Sequence, residues 1–206
     1  MYEYLNAPES YKLSLTFDDA FESVFYNAYP MLMEKGFSFT VFPVTKYIGE
    51  YNRWEVNVGG RKFRHLNWRQ LQEMNGCEVG SHTASHRCLT LLNNQQLIIE
   101  LESSKKELED RLGKEVRYLS LPFGRYNEKV IEAAQKAGYK AVCSLNPADR
   151  EGGYVLGRYA VYLIDNLWSM SRKLGIGGGQ NAEICKLKTI NFFSGGTILA
   201  QKIFVK

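Results

Sequence analysis

Strand-length apolar runs and helical repeats alternate along the first 145 residues of the chain. YKLSLTF, residues 11–17, alternates apolar and polar side chains with the period of two that a strand requires. Residues 21–35 carry a helical pattern, interrupted or started afresh near Pro30, with Gly36 as its stop. SFTVFPV (38–44) is apolar and rich in β-formers, which predicts a buried strand. The polar, glycine-containing stretch 45–64 reads as an insertion loop. Asn67 stands at the N-cap position ahead of WRQLQEM, with Gln70 three residues on to complete a capping box. CEVGS predicts a short strand, and Asn94 to Leu112 a long amphipathic helix ended by Gly113. VRYLSLPF reads as a strand, NEKVIEAAQKAG as a helix and YKAVCSL as another strand. The last third is less regular: RYAVYLI has strand composition, LGIGGGQ reads as loop, and GTILAQKIFV again has strand composition.

This βα alternation implies parallel strands with helices packed outside. Six or seven strands suffice for a barrel or for an open doubly wound sheet. No repeat or low-complexity segment divides the chain, so residues 1–206 are read as a single α/β domain.

Composition narrows the picture modestly. With 45% hydrophobic and 13% aromatic residues, the chain can bury a sizeable core and is not a disordered segment. Lys and Arg number 26 against 22 Asp and Glu, which points to no nucleic-acid partner. The basic excess is concentrated late: Arg172, Lys173, Lys186, Lys188, Lys202 and Lys206 face only Glu183 after Asn166. Such a tail suits phosphate, peripheral contact with an anionic membrane, or a solvated basic face. Cys77, Cys88, Cys143 and Cys185 are scattered, predicting reduced thiols rather than a disulfide framework or a zinc knuckle. No apolar run approaches the ~20 residues of a membrane span. The N-terminus shows neither a basic leader nor an apolar core, so the expected compartment is the cytoplasm; a chain trimmed of a targeting segment would look the same.

Candidate chemistry sits at two strand ends. LTFDDAFESV places Asp18 and Asp19 side by side after the first strand, where two like charges need compensation. A turn or helix cap is the ordinary use of such a pair. GSHTASH (80–86) follows the strand CEVGS and holds two of the three histidines. His82 and His86 lie on one face if the chain turns helically there. Two imidazoles and a carboxylate from another strand end can share a metal and leave positions open for water and substrate. The C-terminal strand ends of a parallel barrel converge on one face, which would bring these motifs together.

TFDDA, then GSHTASH, then LPFGRYN resembles the polysaccharide deacetylase family, the NodB-homology group of carbohydrate esterases (family 4), over about residues 11–145. The connecting segments PMLMEKGFSFTVFPV and NWRQLQEMNGCEVGSH resemble it too. The resemblance implies an incomplete, distorted (β/α) barrel and metal-dependent removal of N- or O-acetyl groups from sugars. It makes Asp19, His82 and His86 the metal ligands and Asp18 the general base acting on water activated by the cation. Zinc suits this set, with cobalt, nickel and manganese as alternatives. The third motif is expected to support the oxyanion near Pro122 and Phe123, and Thr83 to brace the histidine loop.

Three departures from the family pattern stand out. Ser120 occupies the place of an arginine that many members carry in the third motif, with Arg125 just beyond as a possible substitute. Asp165 and Trp168 lie close together but not in the family's Asp-Trp arrangement. The late histidine that serves as general acid is missing; GTILAQK offers Gln201 or Lys202 there. His65 is the remaining imidazole, read as a surface or partly packed residue unless the insertion loop carries it to the site. Tyr47, Tyr51 and Trp54 are candidates for stacking on a sugar face. The implied substrate is an N-acylated sugar, such as a nucleotide- or lipid-linked intermediate of surface-polysaccharide synthesis; an ester substrate and a deformylase are variants. The rival reading is a noncatalytic metal- and sugar-binding module that has lost the acid.

Overall fold

The computed structural model describes residues 13–52, 62–149, 153–176 and 178–193. Six parallel strands run through the described residues: β1 (Leu15–Asp19), β2 (Phe39–Pro43), β3 (Cys77–Val79), β4 (Tyr118–Ser120), β5 (Ala141–Ser144) and β6 (Val155–Gly157). β1, β2 and β3 pair in sequence order, as do β4, β5 and β6. A parallel bridge between Ser81 and Leu119 links the two halves. This is the expected distorted (β/α) barrel, with every strand pointing its C-terminal end toward one face.

β2 is buried along its whole length, so both of its faces must be apolar. Phe39 and Val41 pack outward with Leu66, Leu71 and Met74, while Phe42 points the other way onto Tyr118 and Cys143. A second cluster joins Leu97, Leu101 and Leu108 to Leu119, Val130 and Val142. Burial of each large aliphatic side chain there stabilises the fold by about 1.5–3 kcal/mol. Gly80 is required by this packing, since a Cβ there would sit 2.3 Å from the Phe42 ring and 2.9 Å from the Tyr118 carbonyl.

The helices are α1 (Tyr29–Glu34), α2 (Trp68–Glu73), α3 (Asn94–Leu112), α4 (Glu128–Lys136), α5 (Leu167–Lys173) and α6 (Gln180–Phe193). The capping box is present: Gln70 N donates to Asn67 Oδ1 and Asn67 N to Gln70 Oε1. α3 carries a second box between Asn93 and Gln96 and ends at Gly113 in the left-handed region, φ 64°. The helical pattern starts afresh near Pro30: a π-helical stretch, Val24–Ala28, gives way to α1, whose first turn accepts the proline.

Two expectations for the last third need correction. RYAVYLI is not a strand: β6 lies earlier, and after Arg158 the chain leaves the sheet. Val161, Leu163 and Ile164 are exposed instead of paired, because strand composition without a neighbouring edge makes no strand. Nor are all the late cations displayed. Lys173 is buried and donates to the Ala160 carbonyl and the Asp165 carboxylate, and Lys186 also reaches Asp165. The aspartate draws both ammonium groups inward. GTILAQKIFV, with Gln201, Lys202 and Lys206, lies outside the described residues. Among the described residues, no helix is long and apolar enough to cross a membrane.

Candidate active site

The aspartate pair closes β1 in an unusual backbone. Asp19 (φ 64°) and the following Ala20 (φ 53°) are both left-handed, a conformation that costs a non-glycine residue about 1–2 kcal/mol. The turn is held from outside by the segment 64–66. Glu22 N donates to Arg64 O at 2.8 Å, Leu66 N to Ala20 O at 2.8 Å, and His65 Nδ1 to Asp19 O at 2.6 Å. His65 is therefore fully buried rather than superficial. Its ring packs on Phe21, 4.8 Å away between centroids.

The histidine loop is not helical. Thr83 (φ 68°) and His86 (φ 57°) are left-handed, and it is this doubled-back path that sets the two imidazoles 4.7 Å apart. α3 fixes the path from below. Ser81 Oγ donates to Ser104 Oγ at 2.9 Å and accepts from Thr83 N at 3.1 Å; His86 N donates to Thr83 Oγ1 at 3.1 Å. Glu100, buried, accepts from both Ser85 N and Ser85 Oγ. Thr83 Oγ1 thus makes a hydrogen bond inside the histidine loop.

These two turns meet. Asp19 Oδ1 lies 3.7 Å from His82 Nε2 and 3.8 Å from His86 Nε2, and one ligand atom from each residue falls within 4.8 Å of the others. Those separations are too long for hydrogen bonds, yet they suit donors arranged about one ion at ~2.0–2.2 Å. His82 Nδ1 donates to Ser120 O at 2.9 Å, which leaves the Nε2 lone pair facing Asp19. Burial lowers the pKa of His82 and drives that of His86 well down, so both rings are neutral, as ligation requires. The donor set fits a divalent cation.

Asp18 faces a different partner. Arg158, immediately after β6, donates from Nη1 to Asp18 Oδ1 at 2.8 Å and from Nη2 to Asp18 Oδ2 at 2.9 Å. The same guanidinium reaches Thr16 Oγ1 at 3.0 Å and Ser120 Oγ at 2.8 Å. It joins β6 to β1 across the open seam. Burial alone would raise the Asp18 carboxyl; the charge of Arg158, with hydrogen bonds from Arg158 and Ser120, outweighs it and holds the group well below the usual range. Ser120, where the resemblance leads one to expect an arginine, instead accepts a hydrogen bond from Arg158, 38 residues later. Arg158 opens the run RYAVYLI, and no spacing rule connects it to Ser120. Arg125, weighed as a substitute against an ordinary surface arginine, is exposed.

Pro122 is buried and Phe123 half-buried at the same face. Phe123 is left-handed (φ 60°) and its ring meets His86 at 5.0 Å. Tyr47 lies 6.0 Å from His65, and Tyr51 is exposed beneath Arg64. Trp54 and Lys202 lie outside the described residues. Asp165 binds lysines and Trp168 is exposed with Arg172 over its ring, so neither contributes an Asp-Trp pair to this site.

The fold and this face define a distorted (β/α) barrel of the NodB type, with its ionisable groups gathered at the C-terminal strand ends. The family model described as polysaccharide deacetylase matches residues 6–142. The chain belongs to the polysaccharide deacetylase family. It is 34% identical over 152 residues to YxkH of Bacillus subtilis (strain 168), provisionally named a polysaccharide deacetylase, covering 71% of this chain and 50% of that protein. It is 27% identical over 139 residues to the poly-beta-1,6-N-acetyl-D-glucosamine N-deacetylase of Staphylococcus aureus (strain MRSA252), covering 64% and 47%. The chain thus spans about half the length of these curated relatives. Among solved structures, IcaB from Ammonifex degensii superposes with a TM-score of 0.61 at 26% identity, over 72% of this chain and 66% of that one. The fold is also that of the Streptococcus pyogenes deacetylase PplD in complex with acetate, with a TM-score of 0.68 at 23% identity over 84% and 75%.

Proposed function

We propose that this chain carries the catalytic site of a divalent-metal-dependent hydrolase that removes the N-acetyl group from an amino sugar. The observation that carries the reading is the placement of an ionised carboxylate, Asp18, beside the Asp19–His82–His86 donor set on one barrel face. Those three residues would hold the cation. Zinc suits two imidazoles and a carboxylate, and cobalt, nickel and manganese accept the same donors. A bound ion supplies Lewis acidity toward water and the acyl carbonyl.

The chain's own groups do the rest. Asp18 accepts a proton from the attacking water, oriented by the two-pronged contact with Arg158. The same carboxyl, once protonated, returns that proton to the departing nitrogen as the amide C–N bond breaks, leaving acetate and a free amine. One carboxyl serving both transfers removes the need for a second imidazole; His65 is already engaged with the Asp19 carbonyl. Phe123 and Pro122 close the acyl side, where a backbone N–H of the third motif supports the oxyanion.

A polymer of N-acetylglucosamine is favoured over a nucleotide- or lipid-linked sugar because that substrate class appears in the names of the staphylococcal relatives. The test is acetate release from a β-1,6-linked N-acetylglucosamine oligomer by the metal-loaded protein, beside Asp18→Asn. Release abolished in the variant, with metal still bound, supports the reading. A wild-type protein that binds metal and oligomer but releases no acetate would favour the noncatalytic binding module.

A further inference from the structure

The insertion between β2 and α2 returns to the barrel through residues 62–67, and it does so directly against the ligand turn. Three hydrogen bonds tie residues 64–66 to residues 19–22, and two of them are backbone to backbone. The third is different in kind. His65 Nδ1 reaches the carbonyl oxygen of Asp19 itself, at 2.6 Å, from a ring that is 1% exposed. The ring is clamped between Phe21, at 4.8 Å, and Tyr47, at 6.0 Å. Phe21 lies two residues beyond Asp19, and an antiparallel bridge pairs it with His65. Tyr47 belongs to the 3₁₀ turn after β2, Thr45–Tyr47.

Asp19 needs such a hold more than an ordinary residue does. Its φ of 64° and that of Ala20, 53°, put two successive side-chain-bearing residues in the left-handed region. An extended backbone at Asp19 would swing its carboxylate away from His82 and His86. Conformations of this kind persist only when their surroundings over-determine them. The backbone bonds from Glu22 N to Arg64 O and from Leu66 N to Ala20 O bracket the turn, and the imidazole fixes the peptide plane at the ligand residue.

We infer that His65 is a positioning residue for the metal site: its Nδ1–H, donated to the Asp19 carbonyl, holds the strained turn that aims the Asp19 carboxylate at His82 and His86. The inference rests on the reading of those three residues as metal ligands. It couples the insertion segment to the ligand geometry, without contact between His65 and the ion. Removing outer partners of metal ligands lowers metal affinity about 10–100-fold, and a loss of that size is expected here.

The experiment is titration of the metal-free full chain with Co²⁺, read by calorimetry and by the cobalt d–d absorption, on wild type, Asp19→Asn, His65→Ala, His65→Asn and His65→Leu. Asn places a donor near the position of Nδ1; Leu fills the space without one. The inference predicts weakened binding and an altered cobalt spectrum in His65→Ala and His65→Leu. It predicts recovery in His65→Asn to within about threefold of wild type, measured against that 10–100-fold loss. Wild-type affinity and spectrum in His65→Leu, or equal losses in His65→Leu and His65→Asn, would overturn it. If His65→Ala does not fold, the Asn–Leu comparison still decides. Absence of binding by the wild type, or binding indifferent to Asp19→Asn, would instead remove the ligand set itself.

Discussion

Arg158 grips both carboxylate oxygens of Asp18, at 2.8 and 2.9 Å, although 140 residues separate them. The same guanidinium binds Ser120 Oγ at the end of β4, at 2.8 Å. It therefore ties together the ends of β1, β4 and β6. Two loops make that possible. Arg158 N donates to Ser144 O, and Gly157 N to Asp149 O. Asp149 is itself held by Ser144, Asn146 and Tyr126.

Replacing Arg158 with Gln should therefore damage both stability and turnover. Asp18 keeps 28% side-chain exposure, so the loss of folding free energy is expected near 2 kcal/mol, below the ~3–5 kcal/mol of a fully buried pair. The sign with pH follows from the lowered carboxyl. Its contribution is present above the unfolded-state value near 3.8 and is lost as pH falls through the lower folded value. Urea melts should show wild type and Arg158→Gln well separated at pH 7 and the gap only partly narrowed at pH 3, since the folded value lies lower still.

Asp18→Asn removes the proton acceptor while keeping the shape and one hydrogen-bond acceptor. Turnover on the sugar oligomer should fall by about 10²–10⁴, with metal content unchanged. Hydrolysis at the wild-type rate would exclude Asp18 as the base.

His82 and His86 both have lowered pKa values, chiefly through burial. Between those folded values and the unfolded value of 6.5, the unfolded chain binds more protons, so stability rises with pH. Metal-free protein should thus lose stability as pH falls below about 6.5, a window separate from that of Asp18. Bound cation should resist this loss until protons displace it from the imidazoles. Thermal melts between pH 8 and pH 5, with and without metal, check both statements. Flat melting temperatures for the metal-free protein would contradict the first.

Gly80→Ala should destabilise the barrel beneath the histidine loop. The added Cβ meets Phe42 at 2.3 Å and the Tyr118 carbonyl at 2.9 Å, and only the ring can yield. Overpacking of this kind costs roughly 1–3 kcal/mol. Because Ser81 and His82 follow directly, metal affinity should fall with stability; a variant that melts like wild type would show that β2 and β4 can part freely here.

The local pattern determined a good deal. α3 occupies Asn94–Leu112 and ends at Gly113 because helical periodicity and a left-handed glycine stop are both local. The Asn67–Gln70 box forms for the same reason. Asp18, Asp19, His82 and His86 were legible as candidates because strand ends carrying unusual polar residues are visible one segment at a time. What only the tertiary structure decided depends on residues far apart in the chain or on backbone strain. Arg158 reaches Asp18 because the curvature of the barrel brings the end of β6 opposite β1 across the open seam, which no spacing encodes. The histidines meet through left-handed Thr83 and His86, not through a helical turn. His65 reads as a lone imidazole in a polar loop until the chain folds it, buried, onto the Asp19 carbonyl. Periodicity reports how a segment buries one face; it does not report which distant segment will cover it.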